Sequence, residues 1–173
     1  PATGKSHATP IIYLSGGPGG SGIDTAKYPN FRFPLFMALR EFGDVIALDQ
    51  RGTGASNDTP QCVSSQVIGL TDVLTEPLVT HRYQQALTEC VAFWQSKDID
   101  VRGYTTVQSA LDLNDLRLHL KAEKVTLWGI SYGSHLALTA MKTMPDNIDK
   151  VVMASAEGLR HSVNFPAQTD AYF

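Results

Sequence analysis

The sequence contains no hydrophobic run long enough to cross a membrane, and it has no excess of basic residues. Its 14 Lys and Arg residues are outnumbered by 17 Asp and Glu residues, which leaves a formal net charge of −3. The two signs are interspersed, so no basic stripe is available to attract nucleic acid or an anionic membrane. A spanning helix needs about 20 consecutive apolar residues. We therefore expect neither nucleic acid nor a membrane as a partner.

Cysteine is also scarce, since Cys62 and Cys90 are the only two in the chain. Two cysteines this far apart, without a matching pair of histidines, do not make a zinc site, and we expect no metal and no cofactor. We favour a disulfide that ties the irregular segment 57–80 to the helix predicted after it, and the alternative is two free thiols. A disulfide predicts a secreted or periplasmic protein, whereas free thiols predict a cytoplasmic one.

Internal repeats, low-complexity tracts and interdomain linkers are absent, and 173 residues suit one domain. Short apolar runs alternate with segments of helical spacing, which predicts an α/β fold with a mostly parallel sheet and helices on both faces. The predicted strands are 11–14, 45–49, 125–128 and 151–154. The predicted helices are 34–42, 83–94 with a buried stripe and Thr80 as its cap, and 105–121 with Thr105 as its cap.

Ser131 lies at the centre of the most informative motif. Residues 129–133 have the sequence GISYG, between a β-prone run and an apolar run at helical spacing. Strand, tight turn with a central serine, and helix form the context of a nucleophile elbow. Such a turn strains the serine backbone, requires small neighbours and raises the hydroxyl into a cleft. The alternative is a glycine-rich turn with an incidental serine.

A second glycine-rich loop, 15–22 with the sequence SGGPGGSG, follows the first predicted strand. Its glycines allow close approach to a substrate, so an N–H near Gly17 is a candidate oxyanion donor beside the N–H of Tyr132. The loop also matches the dinucleotide-binding pattern G-x-G-x-x-G, with Asp49 placed to bind a ribose. We disfavour that hypothesis because residues 23–30 do not predict a helix that begins at the loop.

A third segment, 44–56 with the sequence DVIALDQRGTGAS, ends a predicted strand in a charged, glycine-rich turn. Asp49 and Arg51 can pair with each other and brace the floor of the cleft. A catalytic role for either residue is the weaker hypothesis.

These three segments, in this order and at roughly this spacing, resemble the proline iminopeptidase and tripeptidyl aminopeptidase family. That family consists of serine peptidases with the α/β-hydrolase fold. The resemblance implies Ser131 as the nucleophile and the backbone N–H groups of Tyr132 and Gly17 as the oxyanion hole. It also implies that residues 1–173 are the N-terminal portion of one catalytic domain. The cap, the last strands and the triad Asp and His would then lie beyond residue 173, and this portion alone would be inactive.

The charged residues after the fourth predicted strand are further candidates. His161 is a weak candidate for the catalytic base. Glu157 lies where the carboxyl ends of parallel strands face a site. It is a candidate for an alternative triad acid or for binding a substrate ammonium group, and the alternative is a solvated turn residue.

We expect a serine hydrolase that forms an acyl-enzyme on Ser131. The resemblance favours an aminopeptidase that releases N-terminal residues from peptides. A carboxylesterase acting on small acyl esters and a non-catalytic homologue that binds a ligand are the alternatives. The expected partners are a peptide or small ester and the remainder of the protein's own chain, which completes the triad.

Overall fold

The computed structural model describes residues 1–4 and 9–159, and four strands of this part form one parallel sheet. The strands are β1 (Ile11–Leu14), β2 (Val45–Ala47), β3 (Val125–Ile130) and β4 (Ile148–Ala154). They lie in the order β2-β1-β3-β4, with every neighbouring pair parallel. The predicted parallel sheet is confirmed, although β2 is shorter than expected and β3 and β4 are longer.

Five α-helices connect and follow these strands in the described residues. They are α1 (Gly22–Lys27), α2 (Arg32–Leu39), α3 (Glu76–Gln95), α4 (Thr106–His119) and α5 (Tyr132–Thr143). Short 3₁₀ turns occur at Gly54–Ser56, Val101–Gly103 and Pro145–Asn147. No described helix combines the length and the apolar character that a membrane span requires.

The two long connecting helices begin at threonine caps. Thr105 accepts a hydrogen bond from the backbone N–H of Gln108, as predicted, and α4 begins after it. The predicted helix 83–94 is present within α3, but its predicted cap was wrong, because the cap is Thr75 and not Thr80. Pro77 explains the earlier start, since proline fits the first turn of a helix, where its missing N–H has no partner to lose.

The expected buried stripe on α3 is also wrong. Tyr83 and Leu87 are each 63% exposed, and no residue of α3 is buried. Helical spacing alone therefore identified the helix but not the environment of its apolar face.

Strand β1 separates two hydrophobic clusters, because alternate side chains of a strand point to opposite faces of the sheet. On one face Ile12 and Leu14 pack in a cluster with Leu113 of α4 and with Leu136 and Ala140 of α5. This packing fixes α5, the helix after Ser131, against β1, the strand before the glycine-rich loop.

The opposite face of the sheet is covered by α2. Tyr13 of β1, Phe36 of α2 and Trp128 of β3 form an aromatic cluster with ring centroids 4.7 to 5.1 Å apart. Such edge-to-face and tilted contacts stabilise a core beyond simple area burial. Helices therefore cover both faces of the sheet, as predicted.

The chain divides into two compact units. The first contains the sheet and comprises the described parts of Pro1–Asn57 and Thr105–Phe173; the second is Asp58–Tyr104 and contains α3. That the whole chain belongs to one catalytic domain stays a prediction.

Within the second unit, a disulfide joins Cys62 to Cys90 of α3, with a Cα–Cα distance of 5.6 Å. The favoured pairing is thus present, and neither cysteine is free. Next to it, the carboxylate of Glu89 accepts hydrogen bonds from Ser64, Ser65 and Gln66. These hydrogen bonds, led by that of Gln66, lower the pKa of Glu89 from 4.5 to about 2. The bridge and the carboxylate together hold the irregular segment on α3.

We expect the disulfide to stabilise the full-length protein measurably. The bridge spans a sequence separation of 28 residues, and closing a loop of this size contributes about 3.5 kcal/mol in the chain-entropy model. The double variant C62S/C90S should lose about this amount of unfolding free energy in urea. Reductant should destabilise the wild type but leave the double variant unchanged. Mass spectrometry that finds free thiols in the native protein would contradict the bridge.

The contribution of Glu89 to stability should depend on pH. A carboxyl whose pKa is lower in the folded state stabilises above its unfolded pKa, and the effect disappears as pH falls through the folded pKa. The wild type should therefore exceed Glu89→Gln in thermal unfolding temperature above pH 4.5, with the difference vanishing as the pH approaches about 2. Glu76→Gln, on the same helix, is the control. A difference that does not change with pH would refute the assignment.

Candidate active site

Ser131 lies in the turn between β3 and α5, with φ 54° and ψ −126°. L-residues other than glycine seldom adopt positive φ, because Cβ then crowds the backbone. The serine is therefore held in a strained conformation by its surroundings, and such residues cluster at functional sites. β3 ends at Ile130 and α5 begins at Tyr132, so the expected strand, turn and helix are all present.

Two glycines make this turn sterically feasible. A Cβ on Gly133 would overlap the backbone oxygen of Leu14, and a Cβ on Gly129 would overlap that of Gly133. The backbones of β1, β3 and α5 therefore approach one another where side chains cannot fit. This is the physical reason that both flanking positions of the motif are glycine.

The loop after β1 lies beside the serine hydroxyl. A Cβ added to Gly16 would be 3.0 Å from the Cβ of Ser131 and 3.4 Å from its Oγ. Gly17 has φ 122°, and the peptide bond between Gly17 and Pro18 is cis. The backbone N–H groups of Gly17 and Tyr132 have no hydrogen-bond acceptor among the described residues. Both predicted oxyanion donors are thus available to a ligand.

Asp49 braces this loop from below. The residue is 3% exposed. Its carboxylate accepts hydrogen bonds from the hydroxyl of Ser21 and from the backbone N–H groups of Ile23 and Ala55, at 2.8 to 3.0 Å. Burial alone raises the pKa of Asp49, but these hydrogen bonds outweigh it, so that the pKa lies below its usual value. The bracing role predicted for Asp49 is therefore supported by its contacts.

The predicted pairing of Asp49 with Arg51 needs correction. Arg51 forms a two-pronged ion pair with Asp112 of α4, with Nε 2.7 Å from one carboxylate oxygen. The sequence places Asp49 two residues from Arg51, but the folded turn directs the two side chains to separate partners. Arg51 thus links the turn after β2 to α4.

The prediction that no helix begins at the glycine-rich loop was also wrong, because α1 begins at Gly22, the last residue of that loop. That prediction was the ground for disfavouring a dinucleotide site. Its first amides already have partners, however. The N–H of Ile23 donates to Asp49, and that of Asp24 donates to the hydroxyl of Ser21. The protein's own carboxylate thus occupies the place where a pyrophosphate would bind a helix N-terminus.

Glu157, which follows β4, contacts the serine directly. The hydroxyl of Ser131 donates to Oε1 of Glu157 at 2.9 Å. The backbone N–H of Glu157 donates to the hydroxyl of Ser134 at 2.7 Å, and that hydroxyl donates to the backbone oxygen of Ser131 at 2.6 Å. The carboxyl ends of two adjacent parallel strands therefore bring a nucleophile candidate and a carboxylate together.

The histidines of the described residues do not contact the hydroxyl of Ser131. Nδ1 of His135 lies 3.1 Å from the backbone oxygen of Gly158, and its ring stacks on that of Tyr132 with centroids 5.7 Å apart. His161 lies outside the described residues. The described residues also contain no group of three or more His, Cys, Asp or Glu side chains placed to hold a metal ion.

Sequence analysis missed two residues that shape the site. Ser134 joins the elbow to the backbone of Glu157, and the hydroxyl of Thr106 lies 2.8 Å from that of Tyr132. Ser134 lies in the first turn of α5, in the sequence GISYGS, and its position beside the motif was the only available signal. Nothing in the sequence pattern links Thr106 to Tyr132.

Comparison with known proteins gives one family and several relatives. The family described as alpha/beta hydrolase fold matches residues 9–173. A protein of Escherichia coli (strain K12) named "Putative hydrolase YuaR" is 30% identical over 88% of this chain and 28% of its own length. A tripeptidyl aminopeptidase of Streptomyces coelicolor is 28% identical over 84% of this chain and 28% of its own. The chain thus spans less than a third of these relatives.

Solved structures show the same fold. A proline iminopeptidase-related protein of Thermus thermophilus superposes with a TM-score of 0.51 at 20% identity, covering 87% of this chain and 38% of that protein. An esterase of Exiguobacterium antarcticum superposes with a TM-score of 0.53 at 20% identity, covering 95% of this chain and 46% of the esterase. Peptidase-related and esterase structures fit about equally well, so the likeness concerns architecture.

We expect Gly133→Ala to destabilise the full-length protein by at least about 2 kcal/mol, because the added methyl overlaps the backbone of Leu14. Lys142→Ala, at an exposed position of the same helix, is the matched control and should change stability by less than about 0.5 kcal/mol. Urea unfolding measures both. Equal midpoints for the two variants would show that the backbones do not approach as described.

Proposed function

Because the chain belongs to the α/β-hydrolase family, we propose that Ser131 is the nucleophile of a serine hydrolase that releases N-terminal residues from peptides. The family resemblance and the fold class predicted from the three motifs are confirmed by the comparisons. The nucleophile and the substrate class are the proposal. Its main support is the serine at positive φ between β3 and α5, with its hydroxyl beside the loop at Gly16.

The site supports an acyl-enzyme mechanism. As Oγ of Ser131 attacks the carbonyl carbon, a histidine from outside the described residues takes the hydroxyl proton. The N–H groups of Tyr132 and Gly17 then donate to the oxyanion, each stabilising the transition state by about 3 kcal/mol. The amine leaves with the proton from the histidine. Water then attacks the ester carbonyl while the histidine takes one of its protons. As the bond from the carbonyl carbon to Oγ breaks, the histidine returns that proton to Oγ and the acid is released.

The choice of an aminopeptidase has two supports. Relatives carry the names tripeptidyl aminopeptidase and probable proline iminopeptidase, the latter from Streptomyces coelicolor at 27% identity. In addition, the carboxylate of Glu157 accepts a hydrogen bond from the hydroxyl of Ser131, the proposed nucleophile, and the N-terminus of a peptide is cationic. A neutral acyl ester offers nothing to pair with that charge.

An exported location is part of the same proposal. The bridge between Cys62 and Cys90 indicates an oxidising compartment, because thiols in the cytosol are usually kept reduced. We place the protein in the periplasm or outside the cell on this ground.

We expect a fluorophosphonate to label Ser131 of the full-length protein. Ser131→Ala should abolish labelling and lower kcat on aminoacyl-p-nitroanilides by about a millionfold, the loss seen when the serine of another serine protease is removed. Ser96→Ala, at an exposed serine directly after α3, is the control and should behave as the wild type.

Two outcomes would contradict this proposal. A full-length protein that is not labelled would be a non-catalytic homologue that binds a ligand. One that hydrolyses p-nitrophenyl esters but is indifferent to whether the amino group of an anilide substrate is blocked would be a carboxylesterase.

A further inference from the structure

We propose that Glu157 binds the α-ammonium group of the substrate and limits the reaction to release of a single N-terminal residue. This inference rests on the proposed role of Ser131 as the nucleophile. It assigns to the described part of the chain a specificity-determining residue that contacts substrate.

The position of Glu157 is fixed by its backbone. Its N–H donates to Ser134 in the first turn of α5, and the next residue, Gly158, contacts Nδ1 of His135. Both anchors lie on the helix that begins at the serine. The carboxylate therefore moves with the nucleophile and stays at a defined distance from it, as a specificity residue must.

Among the described residues, the carboxylate of Glu157 has no cationic partner. It is partly buried, and its one partner among the described residues is the hydroxyl of Ser131. A negative charge this close opposes the negative charge that develops on the substrate during attack. A cation bound to the carboxylate removes that penalty, so a substrate that brings its own cation is favoured and a neutral one is disfavoured.

The geometry of a peptide N-terminus matches this position. The α-nitrogen is separated from the carbonyl carbon of its own residue by one Cα, a distance of roughly 2.5 Å. When Oγ of Ser131 approaches that carbon, the ammonium comes within hydrogen-bond reach of a carboxylate oxygen that lies 2.9 Å from Oγ. In the described structure the hydroxyl of Ser131 donates a hydrogen bond to Glu157. During the reaction that hydroxyl proton goes to the histidine, and the ammonium group donates a hydrogen bond to Glu157 in its place.

A longer released fragment does not fit. Each additional residue moves the ammonium up to about 3.5 Å further along an extended chain, so that of a tripeptidyl unit lies up to about 7 Å further from the carboxylate. Direct contact with Ser131 also argues against Glu157 as the triad acid. In a triad the acid bonds the far nitrogen of the imidazole, and the imidazole separates it from the serine.

The test compares the wild type with Glu157→Gln in the full-length protein, on alanyl- and prolyl-p-nitroanilide, N-acetylalanyl-p-nitroanilide and alanylalanylalanyl-p-nitroanilide. Glutamine keeps the size and the acceptor for Ser131 but removes the charge. We expect kcat/KM on the free aminoacyl substrates to fall by about 10- to 100-fold, with the acetylated substrate unchanged or faster. Glu41→Gln, at an exposed position, is the control.

Fluorophosphonate labelling separates failure of this inference from failure of the proposed function. If the variant is labelled as fast as the wild type but its preference for a free amino group is unchanged, Glu157 does not bind the ammonium. A wild type that prefers the tripeptidyl substrate likewise overturns the single-residue assignment. If the wild type is neither labelled nor active, Ser131 is not a nucleophile, and both the proposed function and this inference fail.

A second measurement needs no variant and covers the case in which glutamine disturbs the site. Alaninamide should protect wild-type Ser131 from fluorophosphonate labelling at lower concentration than N-acetylalaninamide, because only the former carries the ammonium. Equal protection by the two amides would overturn the inference.

Discussion

The close approach of three backbones at the elbow is the constraint on which the site depends. Gly129 and Gly133 have no side chains because the backbones of β1, β3 and α5 meet there. That contact holds Ser131 at positive φ. Packing of Leu136 and Ala140 against β1 offsets the strain, since a buried helix face cannot shift without opening the core.

Charge within the described site is arranged in two different ways. Asp49 is buried and accepts hydrogen bonds from Ser21, Ile23 and Ala55, so its carboxylate stabilises the loop. Glu157 accepts from one described donor and lies beside the hydroxyl. The carboxylate of Asp49 therefore stabilises the fold, whereas we propose that the carboxylate of Glu157 binds the substrate. The number of protein donors that each carboxylate accepts from, rather than its residue type, distinguishes the two roles.

Much of the architecture was predictable because its signals are local. Apolar runs of β-branched residues identified the strands, Thr105 identified the start of α4, and the glycine pattern around Ser131 identified the elbow. Two predictions for α3 were wrong, one although its signal is local and one because helical spacing does not report burial. Thr75 caps α3 because Pro77 favours an earlier first turn, and the apolar side of α3 at Tyr83 is exposed, which periodicity cannot reveal.

The sequence by itself determined that a serine stands between a strand and a helix, with glycine-rich loops on two neighbouring strands, because each feature is encoded within a few consecutive residues. Tertiary structure alone decided that Glu157 contacts Ser131 across 26 residues and that Arg51 contacts Asp112 across 61. The first contact depends on the register of the adjacent strands β3 and β4, and the second on where α4 packs. Side-chain partners across a sheet follow from that register, and no local pattern records it.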